Sequence, residues 1–501
     1  MRTGIKVNIA ANLLARGWNA LMSFIFVPVY LRFIGAEGYG FISLYTTLVA
    51  LFALLDFGLA LTANREIARY GARDDERSQA RAMLRTFEAV YWMIAAVIGT
   101  AIALMADFVV HSWITLQNIP PEQAISGVQL MGLVAFVRWP VSLYVGVLQG
   151  MQRQVAANLI TTISSTAAGA GAILILWLVA PRVDLFVGWQ VLVFAVQIVA
   201  LRIAAWRGLA LAGDKPRARL SILRQSAGFS MGIMGITLLS LVLTQLDKLL
   251  LTRLLSLREF GYYSIASSIA GLIAMAGSAV QSATFPALTS AIERGDRVLE
   301  SELYHSASRA VAVLILPAAI TLAAFAPEIS LVYLQDPEAA DRISGFLTLL
   351  ALGHTCLALV LIPYALQLAS GWTSLSLYKN IVAIAIYLPS LLLVVPKFGA
   401  YGAAACWFGL TFSYLYFDVA IMHRRILVGE QWRWYKNVLG LPLIFSIGIL
   451  GIARMAIPDD LLLWQKFGFI LSAALLAQIS CLMIIKEFRT GVLAKLRRIQ
   501  G

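Results

Sequence analysis

Apolar runs of 17 or more residues recur along nearly the whole chain, each long enough to cross a ~30 Å hydrocarbon core as a helix. They predict fourteen spans, centred near residues 21, 51, 96, 137, 168, 196, 239, 273, 320, 357, 387, 412, 448 and 476. Polar residues inside the spans are informative because hydrocarbon tolerates few of them. In the first span, NIAANLLARGWNALMSFIFVPVYL (8–31), Asn8, Asn12, Arg16, Asn19 and Ser23 are spaced by 4, 4, 3 and 4 residues. On a helix they form one polar stripe, which either lines a cavity or hydrogen-bonds to adjacent helices.

The pattern repeats at an offset of 221. Residues 40–75 lie on 261–296 without a gap, matching Gly40 to Gly261, Ser43 to Ser264, Leu51 to Leu272, Arg73 to Arg294 and Asp75 to Asp296. The same offset carries Arg16, Asn19 and Ser23 onto Thr237, Ser240 and Thr244, so the two stripes align. Six spans separate the copies, an even number, which makes the repeat parallel. The expectation is an all-α integral membrane protein with two parallel-repeat six-helix lobes, 1–212 and 213–425, around a central cavity. Two additional transmembrane helices and a cytosolic tail, 426–501, complete it.

Composition agrees with an integral membrane protein: 60% of the 501 residues are hydrophobic and 13% charged, against about 25% charged in soluble domains. The net charge of +13 could suggest nucleic acid, but its distribution points elsewhere. Of 39 Lys and Arg residues, 27 fall on one set of alternate connections, 7 on the other and 5 within spans. That is the positive-inside pattern, and it places both termini in the cytosol. Cys356, Cys406 and Cys481 fall in three different spans, which is no disulfide framework, and no metal-binding spacing is visible. No metal, cofactor or catalytic residue is expected.

The segments PVYLRFIGAEGYG (28–40), LLDFG (54–58), NREIAR (64–69), DKLLLTRLLSLREFGYYSIA (247–266) and FPALTS (285–290) resemble the Wzx-type oligosaccharide flippase, or polysaccharide transporter, family. That family belongs to the multidrug/oligosaccharidyl-lipid/polysaccharide (MOP) superfamily. The resemblance implies movement of an undecaprenyl-pyrophosphate-linked oligosaccharide, an O-antigen or exopolysaccharide repeat unit, from the cytosolic to the periplasmic leaflet. It implies alternating access coupled to a Na⁺ or proton gradient, and a polysaccharide polymerase and chain-length regulator as partners. Two other classes stand beside it. A multidrug or organic-cation antiporter would be ill served by Arg16 and Arg138, which repel cations. A membrane glycan polymerase or ligase would need a large external segment, whereas the longest one, about 107–123, offers only Asp107, His111 and Glu122.

The candidate substrate-binding residues are Arg16, Arg138, Asn12, Asn19 and Ser142. Arg16 lies about a third of the way into its span and either snorkels to the interface or pairs with the pyrophosphate, for which a planar bidentate donor is suited. Arg138 lies mid-span, with Ser142 one turn later and Gln149 two turns beyond on the same face. Arg202 reads as an interfacial anchor.

The candidate ion-coupling residues are Asp247, Thr244 and Asp418. Asp247 continues the stripe Thr237, Ser240, Thr244, with Arg253 or Arg258 as alternative partners. Asp418 follows Thr411 and Tyr414 by 7 and 4 residues. His354 reads either as a proton relay or as a satisfied buried histidine. Asp56 reads as structural, pairing with a cytosolic arginine such as Arg65. The arginines at 65, 69, 73, 77, 81 and 85 recur every fourth residue and either gather an anionic headgroup or simply report topology.

Overall fold

A computed structural model describes residues 2–54, 59–70, 77–209, 243, 245, 247–458 and 460–483, with the side chains of 2–13, 16, 52–54, 70 and 77 outside the description. The chain divides into two compact units, Met1–Gly261 and Tyr262–Gly501. Among the described residues there is no strand, only one β-bridge between Thr115 and Ser256. Eleven helices there are long and apolar enough to cross a membrane. Thirteen of the fourteen expected span centres fall within them, and residue 239 lies outside the described residues.

In the first unit, α1 (Arg2–Leu54) holds two expected spans in sequence. Fifty-three residues would reach about 80 Å as one rod, far beyond a single bilayer. The break is at Gly35, whose φ of 66° and ψ of −179° are open to glycine and strained for any side chain. Beyond it, the buried Glu37 carboxylate accepts the backbone N–H groups of Gln117 and Asn118 at 2.6 and 2.7 Å, which fixes the loop over the bend. The unit continues through α2 (Leu59–Tyr70), α3 (Arg77–Leu104), α4 (Pro121–Arg138), α5 (Val141–Gly150), α6 (Gln154–Leu178) and α7 (Val183–Gly208). Helix α6 packs on α1, and α4 packs between α3 and α7. Met83, Phe87, Tyr91, Leu143, Tyr144, Val147 and Leu201 form its buried core. The start of α8 (Leu257–Glu293) also belongs to this unit and crosses α1 where glycines let the backbones touch: a Cβ on Gly40 would lie 2.0 Å from the Leu257 carbonyl oxygen.

In the second unit, the rest of α8 is followed by α9 (Arg297–Ala324), α10 (Ala326–Leu334), α11 (Pro337–Ala369) and α12 (Thr373–Ser413). Helix α12 repeats the device of α1, with its break at Gly399 (φ 58°, ψ −142°). It passes through a π-helical turn, Tyr414–Asp418, into α13 (Val419–Arg425). The last two described helices, α14 (Leu441–Ala456) and α15 (Leu463–Leu482), pack on each other and on α9. Their seam holds Phe325, Leu450, Ile470 and Ala477, fully or almost fully buried. Large apolar side chains such as Trp177, Leu393, Ile444 and Met455 remain exposed, as expected where the solvent is lipid.

Candidate functional site

Of the opening stripe, the side chains of Asn8, Asn12 and Arg16 lie outside the described residues, as do Asp56, Thr237, Ser240 and Thr244. Asn19 is half-buried, and its Oδ1 has no hydrogen-bond partner among the described residues. The neighbouring face of α1 is held to α6, where Trp18 Nε1 donates to Thr166 Oγ1 at 2.8 Å and the Tyr30 hydroxyl donates to the Gly169 carbonyl at 3.0 Å.

Arg138 is exposed at the end of α4. Its guanidinium carbon lies 4.4 Å from the centre of the Phe194 ring, and Nη1 is 3.5 Å from the Tyr45 hydroxyl, at the outer limit of a hydrogen bond. No carboxylate lies within ion-pair distance of it among the described residues. The sequence pattern put Ser142 and Gln149 on the same regular helix as Arg138. The span continues from Pro121 to Gly150, with the helix loosened at Trp139 and Pro140, whose backbone stays right-handed, because proline cannot donate to the ladder. Ser142 bonds back to the Trp139 carbonyl at 3.3 Å, and Gln149 accepts from Asn64 Nδ2 at 3.4 Å. Asn64 belongs to the NREIAR segment, so that motif is tied to α5.

The sequence pattern passed over Glu88. It is buried on α3 and accepts from four donors: the Tyr144 hydroxyl at 2.5 Å, Arg202 Nε at 2.6 Å and Trp206 Nε1 at 3.2 Å on one oxygen, and Arg85 Nη1 at 3.1 Å on the other. Arg202 is therefore more than an interfacial anchor: it is one arm of an ion pair joining α7 to α3. The available signal was Glu88 itself, the lone acid at the start of an apolar run, three residues after the last rung of the arginine ladder.

In the second unit, Asp418 is buried and fully engaged. Oδ2 pairs with Lys379 Nζ at 2.8 Å and Oδ1 accepts from Gln367 Nε2 at 3.0 Å. Lys379 also lies 5.0 Å from the Tyr414 ring centre and 5.4 Å from that of Tyr364. Thr411, seven residues before Asp418, donates to the carbonyls of Trp407 and Phe408. The π-helical turn between them rotates Asp418 away from the i−4 and i−7 register of a regular helix. Lys379 stands in the second turn of α12. Together the pair caps one end of a largely apolar groove of about 640 Å³ that runs along α12 past Ala383, Tyr387, Ser390 and Cys406.

Asp247 is buried in a helical stretch, 247–254, and Lys248 beside it is half-buried. His354 is half-buried on α11, its ring 5.7 Å from that of Trp407. A third polar cluster joins α9 to the segment after α13. His305 Nε2 and Glu430 Oε2 are 2.5 Å apart, Ser301 donates to the same carboxylate at 2.8 Å, and the Tyr304 hydroxyl lies 3.3 Å from His423 Nε2. Burial opposes the Glu430 charge, but the bonds from His305 and Ser301 and the nearby Arg433 hold its pKa below the usual carboxylate value.

Solved structures of transporters share this fold. A lipid II flippase, MurJ, in its inward closed conformation superposes with a TM-score of 0.74 at 10% identity over 97% of this chain and 99% of that one. An inward-facing multidrug resistance MATE transporter of the MOP superfamily gives 0.67 at 15% identity over 82% and 94%. A mutant of the Vibrio cholerae MATE transporter VcmN gives 0.58 at 15% over 86% and 100%. No curated protein sequence matches the chain. A profile described as polysaccharide biosynthesis protein matches residues 5–292, well over half of the 501 residues. The chain, a multi-pass membrane protein with the fold of MOP transporters, therefore belongs to the polysaccharide biosynthesis protein family.

Proposed function

We propose that the protein is a flippase carrying an undecaprenyl-pyrophosphate-linked oligosaccharide, an O-antigen or exopolysaccharide repeat unit, from the cytosolic to the periplasmic leaflet of a bacterial inner membrane, with both termini in the cytosol. It is a transporter and not an enzyme. The family supports a role in polysaccharide synthesis, and the fold is shared with a lipid II flippase and with drug exporters. The observation that supports the flippase among these is Arg138. An arginine in a membrane helix whose partners are a phenyl ring and a distant hydroxyl keeps its positive charge available for an anion. A pyrophosphate satisfies it, whereas an organic cation is repelled. Arg138, Arg16, Asn12, Asn19 and Ser142 contact the substrate in this reading. Asp247 and Thr244 carry a coupling Na⁺ or proton, with Asp418 as a second carboxylate from which a cation would first have to displace Lys379.

The test is flipping of a polyprenyl-pyrophosphate oligosaccharide in proteoliposomes under an imposed Na⁺ or proton gradient. Loss of a charge-assisted contact of about 1.5 to 3 kcal/mol predicts that Arg138→Ala lowers affinity on the order of tenfold to a hundredfold, with Arg138→Lys recovering part. Wild-type flipping by Arg138→Ala, or efflux of organic cations that improves in it, would sink the reading in favour of the antiporter.

A further inference from the structure

We infer that the cleft between the first three turns of α9 and the segment 430–433 is a binding site for a phosphate-bearing anion, distinct from the transport residues above. The cleft has a volume of about 770 Å³. Arg297, Ser301, His305 and Arg309 stand four residues apart along one face of α9, and Glu430 and Arg433 stand opposite.

The charges in the cleft are unevenly matched. Arg297 is paired with the buried Glu300 at 3.1 Å, and Glu430 is occupied by Ser301 and His305. Arg309 and Arg433 have no carboxylate within ion-pair distance among the described residues. The remaining acid at the rim, Glu302, is exposed to solvent, as Arg433 is, whereas Arg309 is half-buried, so Arg309 is the least screened of the three. Arg433 acts on Glu430 through space without bonding to it, so two guanidinium groups face one cleft with their hydrogen-bonding forks not taken up by a carboxylate among the described residues, and planar forks suit phosphate oxygens.

The internal repeat sharpens the contrast. At the offset of 221, Arg309 is the counterpart of Glu88. In the first copy the protein supplies both signs, with Glu88 closed in by Arg202 and Arg85. In the second copy the sign at this position is inverted, no protein carboxylate answers it, and the space beside it is open. The missing counter-charge comes from outside the chain.

Position favours phosphate. Helix α9 has 28 residues, about 42 Å at ~1.5 Å per residue, and exceeds a ~30 Å hydrocarbon core, so its charged first turns stand at headgroup level. The phosphate is therefore either that of a lipid headgroup in the adjoining leaflet or a free anion from solution, and the two sources separate experimentally.

The experiment uses the purified full-length protein and reads its thermal midpoint and its intrinsic tryptophan fluorescence, to which Trp432 and Trp434, flanking Arg433, contribute two of the twelve tryptophans. One arm titrates inorganic pyrophosphate in neutral detergent against sodium chloride of equal ionic strength. The other compares nanodiscs of phosphatidylcholine with nanodiscs containing phosphatidylglycerol. A response to pyrophosphate beyond chloride identifies the free anion, and a response to phosphatidylglycerol alone identifies the headgroup. In either case Arg309→Gln should weaken the response about tenfold and Arg309→Gln/Arg433→Gln about a hundredfold, while the matching Lys substitutions, which keep the charge, should fall between. No response in either arm, or one undiminished in the double Gln variant, overturns the site. Because binding is read without transport, its failure is separable from that of the flippase reading.

Discussion

Gly40 and Gly261 stand back to back where α1 crosses α8. A Cβ on Gly40 would meet the Leu257 carbonyl oxygen at 2.0 Å, and one on Gly261 would meet the Ala36 carbonyl oxygen at 2.0 Å. Ala36 and Leu257 are themselves 221 residues apart, so each half of the contact is the other carried along the repeat. It is a self-complementary contact of the kind a twofold axis produces, made within one chain. The offset found by matching letters thus reappears as a pair of touching backbones.

That crossing predicts that Gly40→Ala and Gly261→Ala each destabilise by about 1 to 3 kcal/mol, because backbone must move to admit a methyl group. Gly271→Ala is the control, since nothing lies within 4 Å of its added Cβ. Thermal midpoints in detergent decide it, and equal losses at all three positions would remove the argument from contact.

Glu88 is a hub, and Arg202 is one of its four donors. Glu88→Ala orphans the buried Tyr144 hydroxyl and the Trp206 indole together, at about 1 to 3 kcal/mol for each buried group left unmatched. Arg202→Ala leaves Glu88 with three donors and should be milder. Chemical denaturation of the two single variants and the double variant gives the ordering. An Arg202→Ala loss as large as that of Glu88→Ala would show that the ion pair, not the hub, carries the stability.

For Lys379 and Asp418 the expected ordering is different. Asp418→Asn or Lys379→Met alone leaves a charge in a mostly apolar wall and should destabilise by about 3 to 5 kcal/mol, as breaking buried pairs does. The double variant Lys379→Met/Asp418→Asn removes both charges and should recover most of the loss. Additive losses in the double variant would mean that the two residues act independently despite their 2.8 Å separation.

Glu430 predicts a pH dependence of known sign. Its pKa is lowered on folding from 4.5, so the stability it contributes is fully present above that value and is lost as the pH falls through the folded pKa. Between pH 7 and pH 3.5 the wild type should lose more thermal stability than Glu430→Gln, whose amide does not titrate. Parallel curves for the two proteins would rule Glu430 out as a source of acid sensitivity.

Length and apolar period made the spans legible from sequence, and the matching of Gly40 to Gly261 pointed to two positions that admit no side chain at their crossing. The bends were not. Gly35 and Gly399 sit inside continuous helical patterns, and only their backbone angles show where each long helix bends. Pairings between distant elements were also hidden. Arg202 with Glu88 and Lys379 with Asp418 are 114 and 39 residues apart, and nothing in local spacing joins them. Asp418 was found as an intramembrane acid, but the π-helical turn that redirects it leaves no trace in a 3.6-residue period.

The Lys379–Asp418 pair bears on how the chain enters the membrane. Its members sit on opposite sides of the Gly399 bend, so neither segment can neutralise its own charge. A lysine or aspartate at the centre of an inserting helix costs about 2.5 to 3.5 kcal/mol; Lys379, in the second turn of α12, would meet a smaller part of that cost if its segment were threaded alone. If both segments leave the insertion machinery as a hairpin already closed at Gly399, the ammonium meets the carboxylate before either meets lipid. The pair would then act during biogenesis as an assembly check: a chain that fails to bring the segments together retains two unneutralised charges, which favour its withdrawal from the bilayer.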